Sequence, residues 1–85
     1  MNSLKVVLVT PEGKLFDGEA NHVNVPGTIG SFGIYYNHAP IISTLQKGAI
    51  KIHTKNEEKI FHVENGVVEV LKNQVSILVE GVLNA

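Results

Sequence analysis

The chain contains no cysteine, which excludes disulfides, thiolate metal sites and cysteine nucleophiles. Arginine is absent too: the cations are seven lysines, set against one aspartate and seven glutamates, for a formal charge of -1. Lacking guanidinium forks and any basic patch, the sequence gives no footing for phosphates or guanine edges, so nucleic acid is not an expected partner. No apolar run reaches the roughly 18 residues that a membrane helix needs. Met1 to Lys5 carry neither a hydrophobic export segment nor an arginine-rich transit pattern, which reads as a protein soluble where it is made. No stretch of ten residues keeps a helical period.

What is present is a short chain of 85 residues, 44% hydrophobic and 18% charged, enough for one domain spanning 1–85 with no linker or repeat. A domain of this size buries only about 60 to 65% of the surface its unfolded chain exposes, so partners can supply part of its stability. Leu4 to Val9 is largely β-branched and ends at Thr10, Pro11, Glu12 and Gly13, a strand followed by a turn. Val23 and Val25 alternate with His22 and Asn24, Ile50 and Ile52 with Lys51 and His53, and Val75, Ile77 and Val79 with Ser76 and Leu78. Turn signals at Gly48, Thr54 to Glu58, Asn65 with Gly66, and Lys72 with Asn73 are spaced for hairpins. The expected fold is an all-β, flattened β-sandwich of about ten short antiparallel strands in two sheets, since one open sheet leaves an apolar face wet. Val67, Val68, Val70 and Leu71 around Glu69 make a strand apolar on both sides, as suits an interior strand or one whose second face meets a partner.

Charge is distributed unevenly. From Ala20 to Gln46 there is no Asp, Glu, Lys or Arg. A buried hairpin pair accounts for such a stretch, and so does a protein interface. The stretch includes the loop segments Gly27 to Gly33 and Tyr35 to Ala39, where exposed residues ordinarily carry charge, and this favours the interface.

No chemical constellation stands out. Gly27, Gly30 and Gly33 lack the following Gly-Lys-Ser/Thr and the helix start of a phosphate loop, and read as glycines of tight turns with positive φ. His22, His38, His53 and His62 show no metal-ligand spacing, and alternation puts His53 and His62 outward on neighbouring strands. His38 lies in the uncharged loop between Tyr36 and Pro40, suited either to a loop-fixing hydrogen bond or to an interface. No nucleophile adjoins a base and no carboxylates converge, so neither catalysis nor a cofactor or metal is expected. Lys55, at the tip of the expected hairpin Lys51 to Ile60, leaves one alternative: a lipoyl- or biotinyl-type carrier domain. Thr54, Asn56 and Glu57 around it depart from the usual carrier context.

The run Thr10 to Phe16 followed by Gly18, Glu19 and Ala20, the segment GSFGIYYNHAP at Gly30 to Pro40, and GVVEV at Gly66 to Val70 with Asn73 resemble the epsilon subunit of F-type ATP synthase along essentially the whole chain. That resemblance implies the family's amino-terminal ten-stranded β-sandwich, without the carboxy-terminal helical hairpin through which members inhibit hydrolysis or bind ATP. It further implies a non-catalytic rotor subunit of the central stalk, joined to the gamma subunit and the c ring. The location implied is the cytoplasmic face of the bacterial inner membrane, peripheral and held through the complex without direct insertion. By position, the gamma-facing residues are Thr10, His38, Ala39, Ile42 and Ser43, and the ring-facing loop is Thr28, Ile29, Gly30, Ser31 and Phe32. Ile29 and Ser31 replace residues that are often acidic in this family, and Tyr36 replaces a common Pro or Ala. Docking on the ring is then expected to rely on apolar and hydrogen-bonded contact, with weak salt sensitivity.

Overall fold

The computed structural model describes residues 3–83. They form nine strands: β1 (Leu4–Thr10), β2 (Gly13–Ala20), β3 (His22–Pro26), β4 (Ser31–Tyr35), β5 (Ile41–Leu45), β6 (Gly48–His53), β7 (Glu58–Val63), β8 (Asn65–Leu71) and β9 (Gln74–Glu80). There is no helix among the described residues, hence none long and apolar enough to cross a membrane. The strands make two sheets, one in the order β2-β1-β9-β8-β5 and the other in the order β4-β3-β6-β7. Extents of 33 × 27 × 19 Å give the flattened outline expected of a two-layer sandwich.

Period-two alternation builds the core. Leu4, Val6 and Leu8 of β1, Val68 and Val70 of β8, and Val75, Ile77 and Val79 of β9 turn inward from the first sheet. Val23, Val25, Ile34, Ile50, Ile52 and Val63 meet them from the second. No polar or charged residue among those described is buried, so the interior is held by apolar burial alone, at about 25 cal/mol per Å² removed from water.

The nine strands among the described residues agree with the about ten expected. Two features depart from the sequence reading. Seven of the strand pairings link the sheets' neighbours, and one of these, β1 with β9, is parallel, with Lys5 opposite Gln74 and Val9 opposite Leu78. Asn65 and Gly66 do not turn the chain; they begin β8, and the passage between sheets is at Glu64, whose N–H donates to the carbonyls of Glu80 (3.2 Å) and Gly81 (3.0 Å). Gly66 is needed for close approach, since a Cβ there would lie 2.5 Å from the Leu78 carbonyl oxygen.

Candidate partner interface

The uncharged segment is not sealed in the core. Between Thr28 and Ser43 only Ile34 is buried, and the neutral side chains around it are exposed or half-buried. The tip of the β3–β4 hairpin closes where Gly30 N donates to Gly27 O (3.0 Å). It is stitched to the other sheet by Thr28 N donating to Thr44 O (3.0 Å), by the hydroxyls of Thr28 and Thr44 (2.8 Å), and by Gln46 N donating to Pro26 O (2.9 Å). Ile29 is thereby presented fully exposed on a tethered loop, with Thr28, Gly30 and Ser31 exposed beside it and Phe32 packed back on the core. Of the glycines here only Gly30 has a positive φ (156°). Gly27 serves close approach instead: a Cβ there would meet the Gly30 carbonyl oxygen at 2.7 Å and the Phe32 ring at 2.9 Å.

The residues assigned to the other surface fall in two places. His38, Ala39, Ile42 and Ser43 lie together on the β4–β5 loop and edge strand β5. Thr10 is at the end of β1, three strands away in the sheet order, with its hydroxyl donating to Gly13 O and accepting from Glu12 N, both at 3.1 Å. Ile42 faces outward and is 72% exposed. His38 makes the loop-fixing contact: its Nδ1 is 2.7 Å from Ala39 O, its N–H donates to Tyr35 O (3.0 Å), and its ring is 6.4 Å from that of Phe32.

Two groups of residues were not singled out as site residues from sequence. Across the outer face of the first sheet, Val9, Leu78, Val67 and Thr44 stand directly opposite one another on β1, β9, β8 and β5, joining the Thr10 end of the sheet to its β5 edge. Leu78 and Val67 are substantially exposed and, with Val7 and Val9, line a shallow depression of about 310 Å³. The two-sided apolar pattern of β8 was its sequence signal. The second group is a clasp. Asn37 N donates to Asn73 Oδ1 (2.6 Å) and Asn73 Nδ2 donates to Asn37 Oδ1 (3.2 Å), tying the loop before His38 to the β8–β9 turn. Both asparagines have left-handed backbones, φ 65° and 63°, which Asn tolerates better than most residues.

His53 and His62 lie outward on the neighbouring strands β6 and β7, as alternation predicts, with His53 opposite Glu58 and His62 opposite Ala49. His53 also stacks on His22 at 3.9 Å between ring centroids, and His22 stacks on Tyr35 at 4.8 Å. Desolvation in the stack and the nearby His53 hold His22 below the usual histidine range, partly offset by Glu58. On the far edge of the other sheet Lys14 Nζ is 2.9 Å from Asp17 Oδ2, and Lys5 Nζ is 3.7 Å from Oδ1. The Lys14 hydrogen bond and charge hold the Asp17 carboxyl below its ordinary range. Among the described residues no group of three or more His, Cys, Asp or Glu converges as metal ligands would. Lys55 is exposed at the β6–β7 hairpin tip, in a turn closed by Thr54 N donating to Glu57 O (2.8 Å).

Comparison with known proteins gives these surfaces a context. The family described as "ATP synthase, Delta/Epsilon chain, beta-sandwich domain" matches residues 3–85. An ATP synthase epsilon chain of Helicobacter pylori (strain Shi470) is 41% identical over 81 residues, covering 95% of this chain and 66% of the relative. One of Leptospira interrogans is 43% identical over 79 residues, covering 93% and 62%. The chain thus spans just under two thirds of the length of such relatives. A chain in the central stalk and c-ring structure of Tetrahymena thermophila mitochondrial ATP synthase superposes with a TM-score of 0.79 at 25% identity, over 95% of this chain and 66% of that one. One in the Euglena gracilis mitochondrial ATP synthase structure reaches 0.89 at 13% identity, over 98% and 54%, a likeness of fold. On the match to nearly its whole length and on these identities, the chain belongs to the delta/epsilon β-sandwich family of ATP synthase.

Proposed function

We propose that this chain is a non-catalytic rotor subunit of the central stalk of an F-type ATP synthase, at the cytoplasmic face of a bacterial inner membrane. In this reading it joins the gamma subunit to the c ring and carries ion-driven rotation to the catalytic head. The observation that supports it best is the exposed, charge-free segment: the stretch without Asp, Glu, Lys or Arg folds so that its loops and the outward side of β5 stay accessible. Interface centres are depleted of charge, and a solvated loop normally is not.

Mechanically, torque needs a body that neither compresses nor slips. The close-packed interior answers the first requirement. Two separate contact surfaces answer the second: Thr28 to Phe32 against the ring, and His38, Ala39, Ile42 and Ser43, with Thr10 beyond Val67 and Leu78, against gamma. With Ile29 and Ser31 in the loop, ring contact is apolar and hydrogen-bonded, so docking depends weakly on salt. In this reading the sandwich of residues 3–83 works as one unit, and nothing beyond Lys55's place at a hairpin tip favours a carrier role.

The test is the double exchange Ile29→Lys and Ser31→Lys in the assembled complex, which leaves Thr28, Gly30 and Phe32 in place. ATP synthesis driven by the ion gradient is expected to fall while the thermal stability of the subunit changes little, since both exchanged side chains are exposed. Unchanged coupled synthesis refutes the ring contact, and undiminished coupling in a strain lacking the subunit refutes the rotor role itself.

A further inference from the structure

The outer face of the second sheet carries one unbroken row that the two partner surfaces do not use. Tyr35 of β4, His22 of β3, His53 of β6 and Glu58 of β7 are directly opposite one another, spanning all four strands. The three rings are nearly parallel, with interplanar angles of 14° and 16°. His53 Nε2 is 3.0 Å from Glu58 Oε2, so that nitrogen carries the hydrogen and donates to the carboxylate; Asn24 Nδ2 is 3.5 Å from the same nitrogen. Gly33, two residues before Tyr35, makes room for the stack: a Cβ there would lie 2.9 Å from both Asn24 Oδ1 and the Tyr35 ring.

The position of the row in the fold gives it a job. His22 and Tyr35 are the first and last paired residues of the β3–β4 hairpin, and β4 is an edge strand with no neighbour on its other side. The hairpin's opposite end is the loop 27–30. The ring stack is therefore the fastening at the open base of the hairpin that presents Ile29.

We propose that Tyr35, His22, His53 and Glu58 form a proton-sensitive clamp at the base of this hairpin, firm while His22 is neutral and loosened when His22 and His53 are both protonated. Two imidazolium rings at 3.9 Å repel, and only one carboxylate in the row is placed to offset them. The other groups facing the pair are the phenol of Tyr35, the neutral amide of Asn24 and, two residues before His53 on β6, the ammonium of Lys51, which adds to the repulsion. The sign follows from linkage. The folded His22 binds its proton less readily than the unfolded chain does, so the fastening is complete above the ordinary histidine value of about 6.5 and is lost as pH falls through the lower folded value.

The inference deepens the rotor reading, because it concerns the hairpin that carries the ring-facing loop, yet its test needs no ring. In the 85-residue chain, the His22 ring is followed by NMR against pH, together with hydrogen-exchange protection of the β3 and β4 amides. His22 is expected to titrate below an ordinary histidine and to move up by about 0.8 of a pH unit in His53→Gln, the size of a unit-charge repulsion at about 4 Å in a water-like medium. Protection of the most protected β4 amide is expected to fall about fivefold as the second proton enters. His22→Gln loses the central ring and cannot take the second proton, so its protection should show no step with pH, which preserves the test should His53→Gln fold poorly. An unshifted His22 midpoint in His53→Gln, or protection flat with pH in the unaltered chain, overturns the clamp and leaves the ring contact standing. Retained coupling after the loop exchange overturns the ring contact and leaves the clamp standing.

Discussion

Asn73 is predicted to hold the 36–40 loop, proposed above to face gamma, through two separable effects, and two substitutions pull them apart. Its side chain exchanges two hydrogen bonds with Asn37, at 2.6 and 3.2 Å, and its own backbone is left-handed at φ 63°. The bonds are exposed, so each contributes toward the lower end of the usual range, about 0.5 to 1 kcal/mol. Holding a residue other than Gly or Asn in the left-handed region costs about 1 kcal/mol more. Asn73→Gly removes the bonds and accepts the backbone, and is expected to lose about 1 to 2 kcal/mol. Asn73→Ala loses that and pays the backbone strain as well, for a total of about 2 to 3 kcal/mol. For a domain of this length each kcal/mol lowers Tm by about 4 to 8 °C, so the two variants should melt in the order wild type, Gly, Ala, with gaps that calorimetry resolves. In both, the loop before His38 is cut from the β8–β9 turn, and affinity for the gamma subunit should fall more than the Tm loss alone implies. Equal melting of the Gly and Ala variants refutes the backbone half of the reasoning. Unchanged gamma affinity in both refutes the idea that the clasp positions His38 and Ala39.

Two further outcomes follow from the core and from the charged edge. Ile52 is fully buried on β6, between β3 and β7, so Ile52→Ala should cost about 2 to 5 kcal/mol and move the denaturation midpoint sharply, whereas Ile60→Ala on the outer side of β7 should cost under about 1 kcal/mol; similar losses at both would contradict the two-layer core. Asp17, held below its ordinary range by Lys14, stabilises the fold above its unfolded value of about 3.9 and stops doing so as pH falls through the lower folded value. Asp17→Asn should therefore flatten the acid limb of the Tm–pH curve, and an unaltered limb would show that the ion pairs of Lys5 and Lys14 contribute nothing there.

Local pattern carried much of this structure in legible form. Val75, Ile77 and Val79 alternate with polar or outward neighbours, and that period alone selects the buried side of β9. The Thr54 to Glu57 turn was legible because its bonds close within four residues. What could not be read depends on register between distant strands. Nothing near His22 announces that His53 lies opposite, 31 residues on. The same holds for Glu64, whose role as the crossing point between sheets rests on carbonyls at positions 80 and 81. At the candidate interface, the absence of charge over 20–46 pointed to a segment that the fold leaves largely accessible, but the place of Leu78 on the neighbouring outer face became evident only once β9 was seen between β1 and β8.

The parallel pairing of β1 with β9 puts the last strand of the chain in the middle of a sheet, between the first strand and β8. On the ribosome, Leu4, Val6 and Leu8 therefore emerge long before the strand that flanks them does, and that sheet is complete only after Glu80 has left the exit tunnel. Until Glu80 has emerged, the nascent chain carries an incompletely paired, β-prone segment at β1, so the interval of greatest risk of clumping falls during translation itself.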